Sequence, residues 1–166
     1  EYLAQYETAV FASGCFWGTE YWFHKTEGVY ATTVGYAGGH VQNPTYQQVC
    51  AGNTGHAESI RVIFDPRLIS YEQLVKLFFE THDPTQVDGQ GPDIGSQYRS
   101  VIFYQSSEQK AVAEQVSALL RNKGYNLATK IEPLNAFYPE HDLYHQKYYD
   151  KKNALPYCHV YEKKFT

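Results

Sequence analysis

The alternation of strand-like and helix-like segments constrains the fold of this 166-residue chain more than any other feature. Residues 57–65 alternate apolar and polar side chains, which is typical of a strand. Ser70 and Gln73 have the spacing of a capping box, which predicts that a helix begins after Ser70. The strands are few and the loops are long. We therefore expect an α+β domain: a two-layer α/β sandwich (ferredoxin-like plait) around a central mixed sheet, with long functional loops and an irregular C-terminal tail.

The predicted elements follow one another along the whole chain. They are strands at 7–13, 29–36, 57–65, 98–104 and 127–134, and helices at 16–25, after Ser70, from 106 or 107 to Gly124, and at 141–152. Gly28 and Gly124 are predicted to end the helices that precede them. The connecting segments 38–55 and 82–95 are punctuated by Gly and Pro. Loops of this length in a compact domain usually carry function.

Composition and charge limit the class of protein. With 43% hydrophobic residues, the chain can bury a sizeable core. We expect one catalytic domain over residues 1–166, either free-standing or excised from a longer fusion chain. The net charge of -4 arises from scattered charges of both signs, which argues against a nucleic-acid binder. No apolar run approaches the length of a membrane span, so membrane insertion is not expected. We predict a cytoplasmic monomer.

One cysteine stands where a predicted strand meets a predicted helix, in Gly14-Cys15-Phe16-Trp17-Gly18. Gly14 allows a tight turn, and Gly18 leaves room above the backbone. A thiol at a helix N-terminus lies at the positive end of the helix dipole, which favours the thiolate. Phe16 and Trp17 would form an apolar wall beside that nucleophile. The motif therefore predicts attack on a small, poorly charged group, such as one that carries a methyl.

The motif resembles the signature of the class A methionine sulfoxide reductases. Further segments resemble this family in the same order: Gly35-Tyr36-Ala37-Gly38-Gly39, Asn43-Pro44-Thr45-Tyr46, Thr54-Gly55-His56-Ala57-Glu58, Asp93-Ile94-Gly95-Ser96-Gln97-Tyr98-Arg99-Ser100 and Tyr144-His145-Gln146. The resemblance spans roughly residues 10–159. It implies an oxidoreductase that reduces the S-epimer of methionine sulfoxide, free or in proteins and peptides. It also implies that thioredoxin is the external reductant and that no cofactor is bound.

The resemblance implies roles for individual residues of the site. Glu58 would be the acid that protonates the sulfoxide oxygen, because desolvation beside an aromatic wall raises the pKa of a carboxyl group. Tyr46 and Tyr98 would donate hydrogen bonds to the same oxygen. Asp93 would orient the attacking thiol through water. The apolar wall of the cysteine motif would bind the methyl end of the substrate.

The resemblance also implies how the enzyme is recycled. After the attack, Cys15 becomes a sulfenic acid, and sulfenic acids condense readily with a second thiol. Cys158, in Pro156-Tyr157-Cys158-His159, resembles the recycling cysteine of the family. A Cys15–Cys158 disulfide that thioredoxin reduces is therefore implied. Cys50 matches no catalytic position, and we expect a buried free cysteine there.

Two other functions stay open on the residues alone. A cysteine hydrolase or transferase would use Cys15 as the nucleophile and a histidine such as His56 as the base. An aromatic-rich binding module would carry out no chemistry. No metal site is expected. His141 and His145 lie four residues apart, but the glutamate of a His-Glu-x-x-His helix is missing. By resemblance, His145 is expected near the pocket.

Overall fold

A mixed, six-stranded sheet forms the centre of the fold. The computed structural model describes residues 6–91, 93–140, 145, 148, 159 and 161–165. The strands are β1 (Glu7–Ser13), β2 (Val29–Ala37), β3 (Ala57–Phe64), β4 (Gly89–Gln90), β5 (Asp93–Ile94), β6 (Ser100–Tyr104), β7 (Lys130–Pro133) and β8 (Phe137–Pro139). The helices are α1 (Phe16–His24), α2 (Tyr46–Cys50), α3 (Tyr71–Glu80) and α4 (Ser107–Asn122), with a short 3-10 helix at Ser96–Tyr98.

The strand order of the large sheet is β7-β6-β1-β3-β2-β8. Neighbouring strands are antiparallel, except for β6 and β7, which run parallel. The register places Tyr36 of β2 directly opposite Glu58 of β3. Cross-strand partners point to the same face of a sheet. The register therefore brings Glu58 to the helix-covered face near the start of α1.

Strand β1 is buried on both faces, because side chains alternate along a strand. Phe11 points into the larger core, where it stacks on Phe23 of α1 and Phe78 of α3. Val10 and Ala12 point into a smaller cluster with Phe103, against which Phe137 packs. Helices thus cover one face of the sheet, and the segment that contains β8 contributes to the cover of the other.

Both long predicted loops contain short elements that the sequence analysis missed. Helix α2 lies in the loop 38–55, where Thr45 and Gln48 form a capping box. Strands β4 and β5 form a small separate sheet in the segment 82–95. Such short elements have no apolar periodicity of their own, so the pattern does not reveal them.

Two strands begin later than predicted, and one strand is not predicted at all. Tyr98 was predicted in a strand, but it ends the 3-10 helix that follows Gly95, and β6 begins only at Ser100. The strand predicted at 127–134 is reduced to β7. Strand β8 was not predicted; it is only three residues long and pairs with the edge of β2.

The helix predicted at 141–152 lies outside the described residues, apart from positions 145 and 148. Within the residues that the structure describes, every helix is too short or too polar to span a lipid bilayer.

Candidate active site

Cys15 lies in a turn between the central strand β1 and helix α1, which we call the nucleophile turn (Gly14–Gly18). Cys15 is the N-cap residue of α1, and its carbonyl oxygen accepts from Gly18 N at 3.2 Å and from Thr19 N at 3.3 Å. Gly14 has a φ of +100°, a conformation that strains other residues. The sharp reversal therefore presents Cys15 at the start of the helix, as the sequence predicts.

Gly18 was expected to leave open space above the backbone, but that space is filled. A Cβ atom at this position would lie 2.2 Å from Nδ1 of His159. The ring of His159 is buried against the turn, and only glycine permits so close an approach. Gly18 therefore makes room for the C-terminal tail of the chain and not for a substrate.

Glu58 is brought against the first residue of α1. Its Oε1 accepts a hydrogen bond from Phe16 N at 3.2 Å, and its carboxyl group is buried. Its Oε2 has no hydrogen-bond partner among the described residues. Burial raises the pKa of Glu58 to about 8, and the charges of Asp93 and Glu140 act in the same direction. Glu58 is thus a carboxylic acid near neutral pH, and one of its buried oxygens has no hydrogen-bond partner among the described residues.

The N–H groups at the start of α1 favour a Cys15 thiolate, as the sequence predicts, but burial has a larger effect in the opposite direction. Cys15 is only 9% exposed, and burial raises the pKa of its thiol well above the usual range. The charge of Glu58 raises this pKa further, while the N–H groups of Trp17 and Gly18 lower it. Desolvation raises the pKa of Cys15 more than the helix N-terminus lowers it. Cys15 is therefore a thiol in the unliganded protein.

Tyr46, Tyr98 and Asp93 come from three separate elements, and each lies close enough to Glu58 for their charges to interact. Tyr46 is the first residue of α2, and its ring stacks on that of Phe16 with centroids 6.1 Å apart. Burial raises the pKa of both tyrosine hydroxyl groups, and for each the charge of Glu58 is the next largest cause. The charge of Asp93, on β5, raises the pKa of Tyr98 and of Glu58.

Phe16 and Trp17 form the aromatic side of the pocket. Phe16 is fully buried, whereas Trp17 is half-buried and stacks on Tyr148 with ring centroids 3.8 Å apart. The indole Nε1 of Trp17 donates to His145 Nδ1 at 3.0 Å, and the imidazole ring of His145 stacks on Tyr46 at 4.2 Å. His145 therefore lies at the pocket, where the sequence places it.

Cys50 is exposed, which corrects the expectation of a buried free cysteine. It ends the short helix α2, four residues after Tyr46; burial raises the pKa of its thiol, and the Tyr46 side chain acts in the opposite direction. A helix of five residues has no second turn that could cover this side chain. Cys158 and His141 lie outside the described residues.

Two histidines have structural surroundings that the sequence did not reveal. His56 donates from Nε2 to Val41 O at 2.6 Å and accepts from Gly39 N at Nδ1, so both ring nitrogens hold the loop that precedes it. This geometry leaves His56 no free nitrogen to act as the base of a hydrolase. The buried His82 donates to Phe78 O at 2.6 Å and contacts Ser100 Oγ at 2.8 Å.

Sequence reasoning assigned no role to Tyr36 or Glu140. Tyr36 is fully buried beside Phe16, and its hydroxyl group donates a short hydrogen bond to Glu140. The available signal was the position of Tyr36 in the second glycine-rich motif. No group of three His, Cys, Asp or Glu side chains suited to a metal ion occurs among the described residues.

Comparison with known proteins gives consistent results. The family model for peptide methionine sulfoxide reductase matches residues 7–166. The peptide methionine sulfoxide reductase MsrA of Methanosarcina mazei is 53% identical over 152 residues, which cover 90% of this chain and 72% of that protein. The reduced form of Mxr1 from Saccharomyces cerevisiae has a TM-score of 0.89 at 35% identity, covering 96% of this chain and 93% of Mxr1. Mxr1 in complex with Trx2 has a TM-score of 0.66 at 28% identity, covering 96% and 91%.

Proposed function

Because the chain belongs to the peptide methionine sulfoxide reductase family, we propose that Cys15 is its nucleophile and Glu58 its catalytic acid. The protein is a peptide-methionine (S)-S-oxide reductase, and thiols supply the electrons for the reaction. The carboxyl group of Glu58 is the observation that carries the assignment of roles. It is buried, it accepts a hydrogen bond from the main chain of Phe16, the residue after Cys15, and its Oε2 has no hydrogen-bond partner among the described residues.

In the first step, the sulfur of Cys15 attacks the sulfur of the sulfoxide while Glu58 transfers a proton to the sulfoxide oxygen. The oxygen passes to the sulfur of Cys15, which is oxidised to a sulfenic acid, and the substrate is reduced by two electrons to methionine. The proton that leaves the Cys15 thiol restores the acid form of Glu58. Protonated Glu58 also removes the negative charge that opposes a thiolate at Cys15.

The remaining pocket residues bind and orient the substrate. The hydroxyl groups of Tyr46 and Tyr98 stay protonated, because burial raises the pKa of each, and both can donate to the sulfoxide oxygen. Phe16 and Trp17 contact the methyl end. Asp93 orients the thiol through water. The convergence of α2, β5, the 3-10 helix and the nucleophile turn supports these assignments.

Recycling uses a second thiol, that of Cys158 in the C-terminal tail. The Cys158 thiol attacks the Cys15 sulfenic acid, a disulfide forms and water leaves. The dithiol of thioredoxin then reduces this disulfide to two thiols and is itself oxidised. The structure of Mxr1 with Trx2 supports thioredoxin as the reductant, and no bound cofactor is required by this scheme.

The fold and organisation of the chain complete the proposal. Strands β6-β1-β3-β2, with α1 and α3 as the crossover helices, support a ferredoxin-like plait as the core of one catalytic domain. The monomeric state, the cytoplasmic location and the lack of nucleic-acid binding stay predictions.

The decisive experiment offers the two epimers of a methionine sulfoxide peptide separately, with dithiothreitol as reductant. We expect only the S-epimer to disappear, and we expect Cys15→Ser to abolish the reaction, since no other residue forms the sulfenic intermediate. Turnover by Cys15→Ser above background would place the chemistry elsewhere. Cys50→Ser is the matched control, and it should retain the parent rate of the first step.

A further inference from the structure

His159 binds to both elements that flank the catalytic cysteine. Its Nε2–H donates to the carbonyl oxygen of Ser13, at the end of β1, at 2.5 Å. The indole Nε1 of Trp22, on α1, donates to the main-chain oxygen of His159 at 2.5 Å. The ring lies against Gly18 and within van der Waals reach of Gly14. His159 is therefore fixed beside the nucleophile turn, through its side chain to β1 and through its main chain to α1.

A second attachment holds the tail further along the chain. The carboxylate of Glu80, at the end of α3, accepts from Tyr161 Oη at 3.0 Å, from Lys164 N at 3.0 Å and from Phe165 N at 3.2 Å. Glu162 N donates to the main-chain oxygen of Glu80 at 2.7 Å. The two attachments differ: the ring of His159 lies against the nucleophile turn, whereas the hydrogen bonds of residues 161–165 described above go to Glu80 on α3.

The position of His159 has a direct consequence for the residue before it. Consecutive Cα atoms are about 3.8 Å apart, so the position of His159 limits where Cys158 can lie. A disulfide needs Cα atoms about 4.4 to 6.8 Å apart. An attachment at His159 would therefore raise the effective concentration of the neighbouring thiol, that of Cys158, near the nucleophile turn.

We propose that His159 is a positioning residue for the recycling step: it anchors the tail to the nucleophile turn so that the Cys158 thiol meets the Cys15 sulfenic acid. The inference rests on the proposed function, in which Cys158 is the recycling thiol. The chemistry is unchanged: the Cys158 sulfur attacks the Cys15 sulfur, the disulfide forms and water leaves.

His159 acts in this scheme as an anchor and not as a base. Burial lowers the pKa of its ring to about 4, so the ring is neutral at physiological pH. Its Nε2 proton is committed to Ser13 O. The Nδ1 atom lies against the backbone of Gly18, where a Cβ would leave no room for it. The ring therefore contributes its shape and one hydrogen bond.

The test separates the two steps of the reaction in a single turnover without reductant. Methionine release is measured by chromatography, the Cys15–Cys158 disulfide by peptide mapping and the Cys15 sulfenic acid by dimedone trapping. Three variants remove or restore the anchor: His159→Ala removes it, His159→Gln keeps an amide donor at the position of Nε2, and Trp22→Phe removes only the main-chain bond. Tyr161→Phe is the matched control, because it removes one hydrogen bond of the tail at Glu80.

We expect His159→Ala to slow disulfide formation relative to methionine release by about 10-fold or more, with dimedone adduct accumulating. His159→Gln should restore most of the rate, Trp22→Phe should be intermediate, and Tyr161→Phe should match the parent. A disulfide rate unchanged in both His159→Ala and Trp22→Phe would overturn the anchor. If His159→Ala does not fold, as judged by its thermal transition, Trp22→Phe decides the question.

The failure of this inference can be distinguished from the failure of the proposed function. When the parent forms the Cys15–Cys158 disulfide and the anchor variants form it equally fast, only the role of His159 is refuted. When the parent releases methionine but forms no such disulfide, the recycling assignment and the anchor are both refuted.

Discussion

At the scale of single residues, one buried carboxyl group and one buried thiol define the chemistry. Burial raises the pKa of both Glu58 and Cys15, and the negative charge of ionised Glu58 disfavours the thiolate of Cys15. The pocket therefore holds a neutral acid and a neutral thiol before the substrate arrives. While Glu58 keeps its proton, it carries no negative charge that would oppose a thiolate at Cys15.

Replacing Glu58 tests this arrangement directly. Glu58→Gln keeps the shape but has no proton to transfer, so we expect the first step to slow by about 10²- to 10⁴-fold with little change in substrate affinity. Single-turnover formation of methionine measures the rate. In the parent, the rate should fall as the pH rises through about 8, because Glu58 loses its proton. This decline should be absent in Glu58→Gln, and an equal rate in both proteins would remove Glu58 from the acid role.

The indole of Trp17 tests the apolar side of the pocket. Its face stacks on Tyr148, and its Nε1 donates to His145, so one side chain organises the aromatic cluster. Trp17→Ala should weaken the binding of a sulfoxide peptide by about 10- to 100-fold, because apolar contact with the methyl end is lost. Affinity is measured by titration in a Cys15→Ser background. Trp17→Phe is the control and should keep most of the affinity; if Trp17→Ala binds as the parent does, Trp17 belongs to the core alone.

At the scale of elements, short pieces of backbone place the side chains of the pocket. Glu58, the second residue of strand β3, lies opposite Tyr36, and α1 begins with the residue that donates to Glu58. Helix α2 has only five residues, and its capping box compensates in part for the lack of a long hydrogen-bonded run. The position of Tyr46 therefore depends on a local interaction between Thr45 and Gln48.

Removal of the cap should affect activity as well as stability. Thr45→Ala deletes the side chain that accepts from Gln48 N, which costs roughly 0.5–2 kcal/mol of helix stability. We expect a small decrease in the thermal midpoint and a several-fold slower first step, because α2 frays and Tyr46 loses its orientation. Thr45→Ser retains the acceptor and should behave as the parent. A Thr45→Ala enzyme with the parent's single-turnover rate would show that Tyr46 is held by its ring contacts alone.

At the scale of the whole molecule, the buried histidines link folding to pH. Burial lowers the pKa of His82 to about 3 and that of His159 to about 4, below the usual 6.5. The unfolded chain therefore binds protons that the folded protein does not, and stability is lost as the pH falls below about 6.5. Glu58 acts in the opposite direction, because its raised pKa makes the folded state bind a proton between about 4.5 and 8.

Urea unfolding between pH 5 and 6 measures this balance. In this range the two histidines bind protons only in the unfolded chain, and Glu58 binds one only in the folded protein. The unfolded state therefore binds about one proton more, and we expect the free energy of unfolding to decrease by about 1.4 kcal/mol for each pH unit of acidification. Glu58→Gln removes the opposing group and should make the dependence steeper by about the same amount. A parent whose urea midpoint is insensitive to pH in this range would contradict the neutral, buried state of both histidines.

Those features of the protein that depend on residues adjacent in the chain can be predicted from the sequence. The strand, turn and helix around Cys15, the capping box at Ser70 and the order of the family motifs are all local patterns. The extent to which each group is buried from solvent follows only from the three-dimensional fold. The burial of Glu58, the raised pKa of Cys15, the exposure of Cys50 and the ring of His159 against Gly18 depend on distant segments that meet in the fold. Desolvation is set by all the atoms that surround a group, and a sequence pattern records only the adjacent ones.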